Sequence, residues 1–166
     1  MFHKIAQSGN GCTSVIIDIP AESYIKLVER IYEDEQGGLP GQRAALKTKT
    51  AKIIRERMVA DISKGASLPP LVVGVLVDSE DYGAQTGRLN SREDMLALVD
   101  GVDLSRLSII DGMQRTTAIL EASRESGFAG VSDLRVEFWI SDSANNLIYR
   151  MLVLNTRQVP WDIARQ

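Results

Sequence analysis

The stretch that decides the fold is Leu107-Ser-Ile-Ile-Asp-Gly-Met-Gln-Arg-Thr-Thr-Ala-Ile-Leu120. It reads as a short buried strand, a tight turn at Asp111-Gly112 and a helix that starts near Met113. A strand running straight into a helix offers free backbone N–H groups at the turn, where an anion can sit. Gly112 has no Cβ, so a ligand can come close to the backbone there. Arg115 adds a planar fork of donors suited to phosphate or carboxylate. Asp111 and Gln114 put two more polar groups into the same turn. A plainer reading stands beside this one, in which Asp-Gly is only a turn and Arg115 a solvated helix residue.

Outward from this stretch, strand and helix signals alternate. Residues 13–19 are β-branched and end at Pro20, a first strand. Residues 21–35 repeat apolar side chains at Tyr24, Leu27, Val28, Ile31 and Tyr32, an amphipathic helix. A Gly- and Pro-containing loop over 36–41 separates it from a long helix over 44–64. That helix carries Leu46, Ile53, Ile54, Met58 and Ile62 on one stripe. Its other face holds Arg43, Lys47, Lys49, Lys52, Arg55 and Arg57, either a solvated face or a phosphate-binding patch. The run 71–77 is continuously apolar, as in a strand buried on both faces. Residues 79–92 read as a surface loop and 92–99 as a short helix. A strand over 134–140 precedes a helix over 143–154 capped by Ser141 or Ser143. This order predicts an α+β fold, a small mixed sheet with flanking helices.

Composition narrows the function. A length of 166 residues suits one domain, with residues 1–42 expected as an N-terminal extension packed on it. The net charge of −3 argues against a surface coated with basic residues for nucleic acid. Cys12 is the single cysteine, so neither an intramolecular disulfide nor a thiolate metal cluster can form, and a cytoplasmic location is expected. His3 is the single histidine, which removes a Ser-His-Asp triad and a His-rich metal site. No apolar run is long enough to span a membrane, and the N-terminus is too short and polar for a signal peptide. Trp161 and Ile163 in the tail call for a packing partner, which points to a missing C-terminal domain or a partner subunit; a homo-oligomer is a further way to supply one.

Four ordered segments carry a family likeness: Ile62-Ser-Lys-Gly-Ala-Ser-Leu-Pro-Pro-Leu-Val-Val, Ile110-Asp-Gly-Met-Gln-Arg-Thr-Thr-Ala, Val136-Glu-Phe-Trp-Ile and Leu154-Asn-Thr-Arg-Gln. Together they resemble the ParB/sulfiredoxin-like superfamily, over roughly the last two thirds of the chain. The signature is nearest to the Asp-Gly-Gln-Gln-Arg and Asp-Gly-Gln-His-Arg branch, which includes GmrSD-type restriction proteins and regulators of DNA-modification systems. The resemblance implies a nucleotide pocket with phosphates near Asp111, Gly112, Gln114 and Arg115, helped by Asn155 and Arg157. It also implies that Gly65 and Pro69 place a loop facing the base or ribose. Two departures stand out: Met113 occupies a position that is usually polar, and Arg157 follows Asn155 by two residues where the chromosome-partitioning members have three. The sulfiredoxin reaction needs a cysteine in the signature turn, and none is there.

Each candidate keeps an alternative. Arg115 reaches a ligand on the turn, or pairs with Glu121 or Glu137. Asp111 is a catalytic carboxylate holding Mg²⁺ beside a nucleoside triphosphate, or it is the N-cap of the following helix. Glu137 is a general base for water, or part of a solvated strand face. One hydroxyl of Thr116 and Thr117 reaches a phosphate and the other packs. Trp139 reads as a core or interface residue, and Asn155 as a helix C-terminal residue that tolerates the left-handed conformation.

The leading expectation is a nucleotide-binding domain of a DNA-linked defence or modification system, with Asp111 and Arg115 as catalytic residues if it also hydrolyses the nucleoside triphosphate. The alternative is a non-catalytic DNA-binding or regulatory module that uses Lys47, Lys49, Lys52 and Arg55. A nuclease is disfavoured, because the chain has no His-Asn-His cluster.

Overall fold

The computed structural model describes residues 1–7, 11–33, 49–124 and 133–155. Five strands form one mixed sheet: β1 Phe2–Gln7, β2 Cys12–Pro20, β3 Leu71–Leu76, β4 Leu107–Asp111 and β5 Asp133–Ser141. Their order across the sheet is β1-β2-β5-β3-β4. Only the β3–β5 pair is parallel; β1–β2, β2–β5 and β3–β4 are antiparallel. The fold is α+β, as the alternation of elements predicts.

Strand alternation sends two sets of side chains to the two faces. One row, Lys4–Val15–Phe138–Val73–Ile109, crosses all five strands on the main core face. On that face Val15, Ile17, Val73, Val75, Val136, Phe138 and Ile140 are buried. They share one cluster with Tyr24 and Val28 of helix α1 (Ala21–Glu33), Val59 and Ile62 of α2 (Lys49–Ser63), Met95 and Val99 of α4 (Arg92–Gly101), and Ile119 of α5 (Met113–Ser123). The opposite face carries a smaller cluster of Cys12, Val72, Ile110, Trp139 and Leu147, the last from helix α6 (Ala144–Asn155). The 71–77 run thus sits between neighbours on both sides and under cover on both faces, which explains its unbroken hydrophobicity.

Three local expectations are corrected. Residues 79–88, read as a loop, form helix α3 (Ser79–Arg88) despite Gly83 and Gly87. Glu80 and Asp81 suit its positive N-terminal end. The Tyr82 and Thr13 hydroxyls share a hydrogen bond of 2.9 Å, and Lys4 Nζ donates to Thr86 O (2.7 Å) and Leu89 O (3.0 Å) at the other end. The cation that satisfies these terminal carbonyls comes from β1, a strand that periodicity did not reveal. The third correction concerns α2. Its core side carries Met58, Val59 and Ile62, whereas Ile53 and Ile54 are exposed. Packing against α5 selects the face that also holds Arg55, and the stripe through Ile53 and Ile54 turns away from it. Residues 44–48 of that predicted helix lie outside the described residues.

Inside the core, the Tyr24 and Thr116 hydroxyls share a buried hydrogen bond of 2.7 Å that ties α1 to α5. Removing either hydroxyl breaks a bond between two buried side chains, and removing both takes away the coupling as well. Tyr24→Phe and Thr116→Val are each expected to cost about 1–3 kcal/mol, and the double variant less than the sum of the two. Urea unfolding of the four proteins checks this, and strict additivity would sink it.

Candidate functional site

The site is built at the junction of β4 and α5. β4 pairs with β3 through an irregularity at Val72/Val73, which brings Asp111 opposite Val72. Gly112 follows in the left-handed region at φ +93° and is the N-cap of α5. A Cβ there would lie 2.7 Å from Leu71 Cδ2 and 3.1 Å from Arg115 Nη2, so both backbone conformation and space call for glycine. The first helical hydrogen bond runs from Thr116 N to Gly112 O at 2.7 Å. Helix geometry therefore leaves the N–H groups of Met113, Gln114 and Arg115 outside the intrahelical ladder.

Arg115 turns back over the turn. Its Nη2 donates to Asp111 Oδ2 at 2.7 Å and to Pro70 O at 3.1 Å. The guanidinium so bridges two of the four segments singled out in the sequence, the Pro69-Pro70 approach to β3 and the Asp-Gly-Met-Gln-Arg turn. Asp111 makes an ion pair and does not cap α5 through its side chain. Neither alternative partner serves Arg115. Glu121 pairs with Arg55 Nε at 3.1 Å, and Glu137 Oε1 accepts 2.6 Å hydrogen bonds from Ser14 Oγ and Trp139 Nε1. Two buried polar atoms of the turn, Arg115 Nε and Gln114 Oε1, have no hydrogen-bond partner among the described residues. Such atoms are costly in a dry site and invite a ligand or water.

The other candidates are placed as follows. Thr116 is fully buried on Tyr24 and is a core residue, while Thr117 Oγ1 donates to Met113 O at 2.9 Å. Met113 is half-buried against the main core. Gly65, at φ +82°, ends α2: Gly65 N donates to Ile62 O (2.9 Å) and Ala66 N to Asp61 O (3.0 Å), a Schellman closure. Asn155 closes α6, and its side chain, like Arg157, lies outside the described residues. On the basic helix, Lys52 pairs with Glu56 at 3.9 Å and Arg55 is committed to Glu121. Lys47 and the side chain of Lys49 lie outside the described residues.

A polar arrangement that sequence reasoning did not assemble lies on the sheet face opposite the main core. Glu137 and Asp111 share a row across the sheet, one on each side of Val72. Glu137 is fixed by its two donors, and the Arg150 guanidinium lies 5.3 Å from the centre of the Trp139 ring. Burial raises the pKa of the nearby Cys12 thiol, Arg150 partly opposes this, and Glu137 adds to it. Cys12 is thus a packing residue and a poor nucleophile. Only strand pairing brings these residues together, since Ser14 and Glu137 are far apart in sequence.

Among the described residues no three His, Cys, Asp or Glu side chains group to hold a metal ion. A cation at Asp111 would draw its remaining ligands from a bound polyphosphate and water. No helix among the described residues is long and apolar enough to cross a membrane. No protein-family model, curated protein or solved structure matches the chain.

Proposed function

We propose that the chain is a nucleotide-binding domain of a cytoplasmic, DNA-linked defence or modification system, with the nucleotide phosphates resting on the Asp111-Gly112 turn. The observation that supports this reading best is Arg115, held at the start of α5 between Asp111 and Pro70 and keeping a buried Nε without a partner. A phosphate on the turn would meet the N-terminal end of α5 and the favourable end of the helix dipole. It would also meet a guanidinium whose fork matches its geometry. The likeness to the Asp-Gly-Gln-Gln-Arg branch of the ParB/sulfiredoxin-like superfamily supplies the nucleotide and the DNA link. Hydrolysis is the second step of the proposal. Asp111 would hold Mg²⁺, which would supply positive charge at the phosphates, and Arg115 would neutralise charge that develops on the transferred phosphoryl group.

Binding is the firmer half, because Met113 packs against the core where the resembled branch has a polar residue. On α2, Arg55 is bound to Glu121 and is not offered to DNA. The DNA link is assigned to a partner or a further domain. Radiolabelled ATP, GTP and CTP with Mg²⁺ test the proposal. The wild type is expected to retain at least one of them, and Arg115→Ala to weaken that binding about 10- to 100-fold. A wild type that binds none, or an Arg115→Ala protein of unchanged affinity and unchanged melting, would overturn it.

A further inference from the structure

We infer that Asp111 is a resident competitor for Arg115, a latch that an incoming anion must open. The inference rests on the anion-binding reading of the turn. It starts from the hydrogens of the guanidinium. Nη2 carries two, and both are used, one on Asp111 Oδ2 and one on Pro70 O. Nε carries one, and it is buried and unused. An anion that engages Arg115 through two parallel hydrogen bonds along the Nε–Nη2 edge satisfies the orphan Nε. It can do so only by taking an Nη2 hydrogen from Asp111 or from Pro70.

The pair is placed for such an exchange. Asp111 and Arg115 are 39% and 22% exposed, so the bond between them is within reach of solvent. An ion pair this open is weak enough for a polyphosphate to displace. In the absence of a divalent cation, Asp111 then turns from a partner of Arg115 into a carboxylate beside a bound anion, and charge repulsion moves it out to solvent. On the other side, the Pro70 carbonyl can keep its Nη2 hydrogen, so the guanidinium stays anchored over the turn while Asp111 leaves.

Inorganic tripolyphosphate, which has no base or ribose, is titrated without Mg²⁺ into the wild type, Asp111→Asn and Arg115→Gln, with melting curves recorded for each. Asp111→Asn is expected to bind about three- to tenfold more tightly than the wild type, and Arg115→Gln to lose binding. Equal or weaker binding by Asp111→Asn, beside a wild type that binds, overturns the latch and leaves the anion site standing. If neither the wild type nor Asp111→Asn binds, the anion site fails and the latch with it.

Discussion

Gly112→Ala is expected to lower the unfolding midpoint by about 4–20 °C and to abolish anion binding at the turn. Two costs combine. A non-glycine residue in the left-handed region costs about 1–2 kcal/mol. The added Cβ also lies 2.7 Å from Leu71 Cδ2, and Leu71 is 0% exposed, enclosed in the main core. Overpacking of that kind costs about 1–3 kcal/mol. The sum, about 2–5 kcal/mol, converts to the stated shift at about 2–4 °C per kcal/mol for a domain of this size. The functional loss has a separate cause. The same Cβ meets Arg115 Nη2 at 3.1 Å, so the guanidinium must leave the position where it spans Asp111 and Pro70. Calorimetric melting and titration with tripolyphosphate read the two effects independently. A variant that melts within about 1 °C of the wild type would show that the turn tolerates a side chain, against the geometry described above.

Phe138→Ala is expected to be the most destabilising single truncation in the sheet, at about 3–5 kcal/mol. Phe138 lies in β5, the central strand of the five, and is fully buried. Its register partners are Val15 on one side and Val73 on the other, both buried as well. Neighbours held by two strand ladders cannot collapse into the space left by the ring, so the cavity cost adds to the lost transfer energy. For a protein whose whole stability is on the order of 5–15 kcal/mol, this is a large share. In urea the midpoint is expected to fall by about 1–3 M with the slope unchanged, and Ile5→Ala serves as the control. Ile5 sits on edge strand β1 and is 48% exposed, so its truncation should stay within about 0.5 kcal/mol. Equal shifts for the two variants would contradict the placement of the core.

The candidate turn was legible in the sequence because each of its determinants is local. An apolar strand, an Asp-Gly pair and a helical repeat within fourteen residues specify strand, turn and helix, and Gly112 does take the left-handed conformation. What Arg115 does with its guanidinium was not legible. Glu121 and Glu137 were as eligible by charge as Asp111, and only the folded chain shows that Arg55, Ser14 and Trp139 have already claimed them. Pro70 contributes a backbone carbonyl, which no side-chain pattern announces.

The same division holds for the fold. Hydrophobic periodicity by itself determined the α+β class, strands β2 to β5 and helices α1, α4, α5 and α6, because each buries a face whose spacing is written in its own residues. Tertiary structure alone decided β1, α3 and the working face of α2. β1 is an edge strand with a lysine on its core side, α3 has its terminal carbonyls satisfied by that lysine, and α2 is oriented by its packing on α5. In each case the stabilising partner is remote in sequence: Lys4 is separated from Thr86 by 82 residues. A pattern confined to one segment cannot contain the atoms that make such a segment stable.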